Sequence, residues 1–259
     1  MNTQKKLLSI RFALVSIMAC LLFSAPITGF SAPKKNINSP GFTAKEAKIL
    51  KSGDHDAAAE VLAKLSKLYQ TRGSESIKPA IDPLLECAAN ELRIPEDQRW
   101  NLTSILKILS QTGDPRIKPL FLTVMSSVKG GGIPYVPQGF LSLGHSIVPE
   151  LIDSLKSSSP DARGRTSLIL NKMFQLDKSG SFFSPGDRTK IKERLIANLK
   201  DPNASIRIYS VSALASFGDA SVVPALEYLE KHDAHKDSSG NYEVRIEAGK
   251  TLKALKIKK

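Results

Sequence analysis

Four arginines of this 259-residue chain stand at the head of the same sequence pattern. They are Arg99, Arg163, Arg207 and Arg245, and each has a leucine seven positions further on. On an α-helix, the positions three, six, seven and ten residues after each arginine share one face. These positions are Leu102, Ile105, Leu106 and Leu109; Thr166, Ile169, Leu170 and Met173; Ser210, Ala213, Leu214 and Phe217; and Ala248, Thr251, Leu252 and Leu255. Since nearly all are apolar or small, the pattern predicts one core-facing stripe repeated in four helices.

A second pattern recurs at the start of other predicted helices. It reads GDPRIKPLF (113–121), GHSIVPELI (144–152) and GDASVVPAL (218–226), with SESIKPAID (74–82) as a looser copy. Asp114 and Asp219 suit helix N-caps, and Gly113 and Gly218 are expected to end the preceding helices in the left-handed conformation. Proline costs little in a first helical turn. Each unit is therefore predicted as helix A with its proline, a turn, and helix B with its arginine.

Together, the two patterns resemble the HEAT repeat family, in particular the short bacterial subtype also found in phycobilisome lyases. The resemblance covers roughly residues 74–256 and is strongest over 199–257. It implies an all-α fold, a right-handed α-solenoid of stacked antiparallel helix pairs with about five to six units. The interval from Arg99 to Arg163 must hold an extra unit, marked by Pro119 and Pro149, whose helix B is short and lacks the arginine.

The amino terminus differs from the rest of the chain. MNTQKKLLSIR is basic, FALVSIMACLLF is apolar and SAPITGFSA is rich in small residues, which is the order of a secretory signal peptide. We expect a signal peptide over 1–32, cleaved after Ala25 or preferably after Ala32, a linker over 33–42 and a repeat domain over 43–259. The protein is then exported, to the periplasm or the medium, with no transmembrane span in the mature chain. A lipid anchor at Cys20 is disfavoured because the apolar run continues beyond it and Met18 replaces the small residue such sites prefer.

Composition restricts the chemistry of the remaining chain. The formal net charge is +12, to which residues 1–32 contribute three cations and no acid, so the mature chain carries +9. Cys87 is then the one remaining cysteine and is predicted to be a buried, inert thiol. No HE, HExxH or CxxC motif occurs. The best metal candidates, His232, His235 and Asp237, lie in a polar stretch predicted to be a solvated turn, so we expect no metal, no cofactor and no catalysis.

The predicted function is binding of a protein or peptide in a groove lined by the B helices. Positions two, five and nine after each arginine point away from the core stripe; they are Asn101, Ser104 and Ile108; Arg165, Leu168 and Lys172; Tyr209, Ser212 and Ser216; and Glu247, Lys250 and Ala254. Among them Arg165, Lys172, Tyr209 and Lys250 are the candidate partner-binding residues, because an aromatic ring beside cations is typical of interfaces.

Two alternatives stay open. The basic charge and the lysines of KTLKALKIKK also suit an anionic envelope polymer, whereas nucleic acid is disfavoured because no continuous basic surface with stacking aromatics is present. A HEAT-type enzyme is the other alternative, for which no site residues can be assigned.

The four arginines at the start of the repeated pattern are expected to be structural. Each is predicted to connect helix B to a neighbouring unit by hydrogen bonds to a carboxylate or to helix-end carbonyls. Asp201 lies six residues before Arg207, and Ser157 and Ser239 occupy that position in two other copies.

Overall fold

The described part of the chain, in a computed structural model, comprises residues 41–127 and 134–257. The predicted signal peptide with Cys20, most of the predicted linker, and Lys258 and Lys259 lie outside it. Within it the chain forms twelve α-helices, five short 3₁₀ helices and no β-strand. None of these helices combines the length and apolar character needed to cross a bilayer. The fold is therefore all-α, as the periodicity predicts.

The helices are numbered α1 to α12 in chain order. They are α1 (Ala44–Lys51), α2 (His55–Arg72), α3 (Ile81–Arg93), α4 (Leu102–Leu109), α5 (Lys118–Ser127), α6 (Val136–Ser142), α7 (Val148–Ser154), α8 (Pro160–Leu176), α9 (Pro185–Asn198), α10 (Ala204–Phe217), α11 (Val223–His232) and α12 (Glu243–Ile257). Odd-numbered helices are called A helices and even-numbered ones B helices.

Each A helix packs against the B helix that follows it, from α1 on α2 to α11 on α12. The B helices also pack in series, α2 on α4, α4 on α6, α6 on α8, α8 on α10 and α10 on α12. Among the A helices, α1 contacts α3, α3 contacts α5 and α7 contacts α9. Successive pairs therefore stack along the chain, and the short α6, without an arginine, lies in the interval between Arg99 and Arg163 as predicted.

The core is the repeated stripe read from the sequence. All sixteen residues of the four stripes are buried. Burial of such a face is what stabilises a helix pair that is too small to have a core of its own. Two residues expected to point away from the core, Asn101 and Ile108, are also buried. Asn101 is drawn inward because its backbone N–H donates to Glu91 Oε2 (3.2 Å) and its amide nitrogen donates to the backbone oxygen of His55 (3.0 Å).

The proline motif forms a 3₁₀ turn that continues into an A helix. Pro119, Pro149 and Pro224 are each the second residue of α5, α7 and α11, directly after the 3₁₀ turns Pro115–Ile117, Gly144–Ile147 and Ala220–Val222. The carboxylates of Asp114 and Asp219 accept the backbone N–H groups of Arg116 (3.0 Å) and Ser221 (2.8 Å), so they cap the 3₁₀ turns rather than the α-helices.

The two glycines predicted to end the preceding helices differ in conformation. Gly113 is left-handed, with φ at 63°, but it lies beyond Ser110, the C-cap of α4, so the predicted cap is wrong in position. Gly218 is extended, with φ at −76° and ψ at 155°, so the predicted left-handed cap is wrong there. Glycine is needed at position 218 for another reason: a Cβ would lie 2.3 Å from the backbone oxygen of Leu214.

Arg163 and Arg207 join the A–B turn of their own unit to that of the next. Nη1 of Arg163 donates to the backbone oxygens of Ser157 (2.7 Å) and Ser158, while its Nε donates to Asp201 Oδ2 (2.9 Å). Arg207 repeats this arrangement one unit further. Its Nη1 donates to the backbone oxygen of Asp201 (2.7 Å), and its Nε and Nη2 donate to the two carboxylate oxygens of Asp233 (2.8 and 3.0 Å).

The two outer arginines depart from this arrangement. Arg245 Nε donates to the backbone oxygen of Asp233 (2.6 Å), and its guanidinium lies 3.9 Å from the centre of the Tyr242 ring. Arg99 precedes α4 rather than lying on it, because the 3₁₀ turn Glu96–Gln98 delays the start of the helix. Its guanidinium donates to the backbone oxygens of Leu92 (3.2 Å) and Ile94 (3.0 Å) at the end of α3. It therefore binds helix-end carbonyls within its own unit and not a neighbouring one.

Four ion pairs and one histidine–carboxylate hydrogen bond join successive A-helix segments, on the side of the helix pairs opposite to the B helices. The ion pairs are Lys51–Glu86 (2.5 Å), Asp82–Arg116 (2.7 Å), Lys118–Glu150 and Lys192–Asp219 (2.7 Å), and the hydrogen bond is His145–Asp187 (2.6 Å). Each joins a helix, or the turn that leads into it, to the next A helix or its leading turn. They are mostly exposed, so each contributes little alone.

Candidate functional site

A crevice between the first turns of α8 and α10 forms a pocket of about 200 Å³. Pro160 and Leu168 of α8 supply apolar surface on one side, and Ile206 and the ring of Tyr209 supply it from α10. The stripe residues of both helices point into the core, so the pocket lies on the face that the sequence assigns to a partner. Such a concave site, with an apolar wall and a few polar groups, is typical of ligand-binding surfaces.

Gly164 allows the crevice to form. A Cβ at this position would lie 3.3 Å from Tyr209 Cδ2 and 3.5 Å from Ile206 Cγ1. Because glycine has no side chain, the Tyr209 ring approaches the backbone of α8 directly. The ring is thereby held at the edge of the pocket by packing rather than by a hydrogen bond.

Arg165 lines the pocket and is also anchored to the preceding unit. Its Nη1 donates to the backbone oxygen of Met125 in α5 (3.1 Å), and its side chain is only 13% exposed. Its Nη2 lies 3.7 Å from Asp161 Oδ2, a carboxylate whose side chain is 71% exposed. The guanidinium is therefore a fixed and mostly buried positive charge, although its position on the helix was predicted to point away from the core stripe.

Three further polar side chains face the crevice from α10. Asn203 caps this helix by accepting the backbone N–H of Ser205 through Oδ1 (2.9 Å), which leaves its amide nitrogen free. Within residues 41–127 and 134–257, neither this nitrogen nor the hydroxyls of Ser205 and Tyr209 form a hydrogen bond to the protein. Each can therefore donate to a ligand.

Beyond the pocket, polar side chains join α8 to α10. Ser216 Oγ donates to Asn171 Oδ1 (2.7 Å), and Ser167 and Ser210 hydroxyls lie 3.4 Å apart. Asn171 Nδ2 reaches Ser212 Oγ at 3.5 Å. Ser212 and Ser216, expected to face a partner, thus use their hydroxyls in contacts between the two helices.

Of the four predicted partner-binding residues, Arg165 and Tyr209 line the pocket and Lys172 and Lys250 do not. Lys172 lies two turns beyond Arg165 on α8, exposed, with its Nζ 3.4 Å from Gln175 Oε1. Lys250 is exposed on α12, with its Nζ 3.5 Å from Glu247 Oε2.

Sequence reasoning missed Asp161, Asn203 and Ser205 because they precede or begin their helices, outside the offsets that define the B-helix surface. The signal that could have found two of them is the cap pattern Asn203-x-Ser205 at the start of a predicted helix.

The metal candidates are not brought together. The described residues contain no group of three or more His, Cys, Asp or Glu side chains able to hold an ion. His232 directs Nδ1 to the backbone oxygen of Tyr228 (2.9 Å), and its ring stacks on that tyrosine. Asp237 accepts the backbone N–H groups of Ser239 (2.8 Å) and Asn241 (2.7 Å), so its carboxylate organises its own loop.

Cys87 is buried in α3, as predicted. Burial raises the pKa of its thiol to about 11, with a smaller contribution from the nearby charge of Glu91. The thiol is therefore protonated at neutral pH, and a protonated thiol is a poor nucleophile.

No family model matches the sequence, and no curated protein matches it. Among solved structures, a computationally designed armadillo repeat protein for modular peptide recognition is similar to this chain at 18% identity and a TM-score of 0.39. The match covers 82% of this chain and 98% of the designed protein.

Proposed function

We propose that this protein is an exported, non-catalytic HEAT-like scaffold that binds a protein or peptide partner on its B-helix surface. The proposal includes a right-handed stack of about five to six units, a signal peptide over 1–32 and a periplasmic or secreted location. The observation that carries it is the α8–α10 pocket, which is lined by both Arg165 and Tyr209, two residues expected to contact a partner, and by unused hydrogen-bonding groups.

The pocket suits binding better than catalysis. The hydroxyls of Ser205 and Tyr209 and the Asn203 amide are neutral groups, and Asp161 and Arg165 lie 3.7 Å apart. The described residues that line the pocket include no histidine, cysteine or lysine that could activate a hydroxyl. A tyrosine packed against a glycine is a rigid anchor that loses little entropy when a partner covers it. The surrounding polar groups suit the main chain or polar side chains of a peptide.

Site-specific crosslinking tests the proposal in the intact chain. Tyr209 is replaced by the photocrosslinking residue p-benzoylphenylalanine, and the protein is irradiated in the cells that produce it. Tyr228, an exposed tyrosine on α11 outside the pocket, serves as the matched control site. We expect a discrete crosslinked product from position 209 and none from position 228. Equal crosslinking at both sites, or none at 209, would contradict a partner in this pocket.

Export is tested separately on the same material. Amino-terminal sequencing of protein from the envelope fraction or the medium is expected to begin at Pro33, after cleavage behind Ala32, or at Pro26 for the earlier site. Intact Met1 on protein outside the cytoplasm would contradict a cleaved signal peptide.

Binding of the crosslinked partner to the purified protein, measured at two salt concentrations, addresses the anionic envelope polymer. Loss of all binding when the salt concentration rises from about 50 mM to about 500 mM would favour that polymer as partner, since such attraction is screened by ions. Binding that persists at the higher concentration supports a protein or peptide, because contacts with the apolar wall of the pocket are not screened.

A further inference from the structure

The α8–α10 pocket offers more hydrogen-bond donors than acceptors, although its two hydroxyls can act as either. Unused donors come from the Asn203 amide, the Ser205 hydroxyl, the Tyr209 hydroxyl and the remaining N–H groups of Arg165. A guanidinium carries five N–H groups, and within the described residues one nitrogen of Arg165 has a partner within 3.5 Å. The only carboxylate in the pocket lining is Asp161. A ligand that accepts hydrogen bonds therefore finds more partners here than one that donates them.

The two charges of the pocket differ in strength. Arg165 is largely buried and held in place by Met125, so its charge acts in a region of low dielectric constant. The carboxylate of Asp161 is mostly exposed, so water and salt screen it. Its distance of 3.7 Å from Arg165 is too long for a strong hydrogen bond and leaves the guanidinium available. The effective charge that a ligand meets in the pocket is therefore positive.

The apolar part of the pocket limits the size and shape of the ligand. Leu168, Ile206 and the Tyr209 ring offer apolar surface to the aliphatic part of an inserted side chain. A volume of about 200 Å³ has room for one such side chain but not for a whole helix, which has a diameter of about 10–12 Å. The group that enters the pocket is thus a single side chain or a chain end of the partner.

We infer that this pocket binds a carboxylate of the partner, with the aliphatic carbons next to it lying against Leu168, Ile206 and Tyr209. Arg165 pairs with the carboxylate, and the donors of Asn203, Ser205 and Tyr209 surround it. The inference rests on the proposed function, since it names the chemistry of the partner at the same site. An aspartate or glutamate side chain and a C-terminal carboxylate are the two sources of this group.

The test uses the full chain and four fluorescein-labelled pools of octapeptides, random except at one central position. That position is fixed as Glu, Gln or Lys in three pools with amidated C-termini, and as Gln in a fourth pool with a free C-terminus. Binding is measured by fluorescence polarisation. We expect the Glu pool to bind at least tenfold more tightly than the isosteric Gln pool, and the Lys pool to bind most weakly. Tight binding of the fourth pool instead of the Glu pool identifies the terminal carboxylate as the source.

Variants of the pocket separate this interaction from general attraction to a basic protein. Arg165→Gln is expected to abolish the preference for Glu over Gln. Lys190→Gln removes the same charge from α9, an A helix outside the pocket, and is expected to preserve the preference. Asp161→Asn is expected to widen the preference two- to fivefold, because a competing carboxylate is removed. Asp161 makes no hydrogen bond to Met125, so Asp161→Asn still tests the inference if Arg165→Gln weakens the fold.

The outcomes distinguish failure of the carboxylate inference from failure of the proposed peptide-binding function. If the pools bind and Tyr209→Ser weakens them, but Glu gives no advantage over Gln or Lys is preferred, the carboxylate is wrong and the binding site stands. An equal loss of preference in Arg165→Gln and Lys190→Gln overturns the specific role of Arg165. If no pool binds, or Tyr209→Ser changes nothing, the proposed peptide-binding function fails and the carboxylate inference fails with it.

Discussion

Asp201 and Asp233 each accept hydrogen bonds through two parts of one residue. The carboxylate of Asp201 accepts a hydrogen bond from Arg163 of the preceding unit, and its backbone oxygen accepts one from Arg207 of its own unit. In the same way, the carboxylate of Asp233 accepts from Arg207, and its backbone oxygen accepts from Arg245. Each aspartate therefore fixes the distance between two A–B turns. Both carboxylates are nearly buried, at 5% exposed, so they depend on their guanidinium partners.

Arg207→Ala should lower the free energy of unfolding by about 3 kcal/mol, because the buried Asp233 carboxylate keeps the backbone N–H of His235 but loses both guanidinium donors, and the backbone oxygen of Asp201 loses its bond from Arg207. The effect is measured by urea unfolding at pH 7 followed by circular dichroism. Lys172→Ala is the control, since this exposed lysine makes only one long hydrogen bond and should change stability by less than about 0.5 kcal/mol. Equal, small effects of both substitutions would show that the Arg207–Asp233 pair does not stabilise the stack.

The same pair predicts a dependence on pH. Burial raises the pKa of Asp233, but the hydrogen bonds from Arg207 and from the backbone of His235 outweigh burial, so the pKa lies below its ordinary value. A lowered pKa in the folded state stabilises the protein above the ordinary value of about 4, and this stabilisation is lost as the pH falls through the folded pKa. In Arg207→Ala, the buried carboxylate lacks its partner and gains from protonation.

The stability difference between wild type and Arg207→Ala should therefore shrink as the pH falls from 7 to about 3. Urea unfolding of both proteins at these two pH values measures it. Lys172→Ala should track the wild type at both. A difference that is constant across this range would mean that Asp233 does not carry the charge that Arg207 neutralises.

Among the elements, α6 shows how a short B helix stays in the stack. Gly139 of α6 lies against the buried ring of Phe121 in α5, and a Cβ at position 139 would lie 2.1 Å from Phe121 Cε1. Gly139→Ala should therefore destabilise the protein by about 1–3 kcal/mol, as overpacking of a core does. Gly186→Ala in the first turn of α9 is the control, since its Cβ would meet nothing closer than 3.8 Å.

Thermal unfolding of these two alanine variants measures the effect. Gly186→Ala should be neutral or slightly stabilising, because alanine lowers the entropy of the unfolded chain. Similar midpoints for the two variants would show that Phe121 moves aside at no cost, and would contradict close packing between α5 and α6.

The elements also show which features can be predicted from sequence. The core stripes follow from helical period alone, because residues such as Leu170 and Leu214 recur at fixed offsets and all lie on one face. The start of α4 cannot be predicted in this way. Arg99 has the sequence pattern of the other three arginines, but the 3₁₀ turn after Pro95 places it before the helix. Local turn geometry overrides the repeat at that point.

The pocket is predictable in part for the same reason. Tyr209 and Arg165 occupy offsets on the outer helix face, so their exposure to a partner can be read from the sequence. The bond from Arg165 to Met125 and the approach of Tyr209 to Gly164 depend on how closely neighbouring helices pack. The distance between two helices is a tertiary property, because it depends on the small residues of both helices. The offsets counted from each arginine describe one helix at a time and therefore do not predict it.

Over the whole described stack, contacts connect neighbouring pairs and seldom more distant ones. B helices pack on the next B helix, arginines reach one unit ahead, and ion pairs such as Lys192–Asp219 join adjacent A-helix segments. The stability of such a protein is a sum of local terms and nearest-neighbour terms. A local substitution should accordingly loosen its own neighbourhood first.

Hydrogen exchange followed by mass spectrometry tests this locality. Arg207→Ala removes the bond between the units of α9–α10 and α11–α12, so amide exchange should accelerate in α9 to α12 and stay unchanged in α1 to α4. Gly139→Ala disturbs α5 and α6 and should accelerate exchange there and in α8, which contacts both. The two variants thus serve as controls for each other, because each should spare helices that the other loosens. If either substitution accelerated exchange evenly from α1 to α12, the chain would unfold as one cooperative unit, and the arginine–aspartate contacts would stabilise the molecule as a whole rather than the joint between two neighbouring pairs.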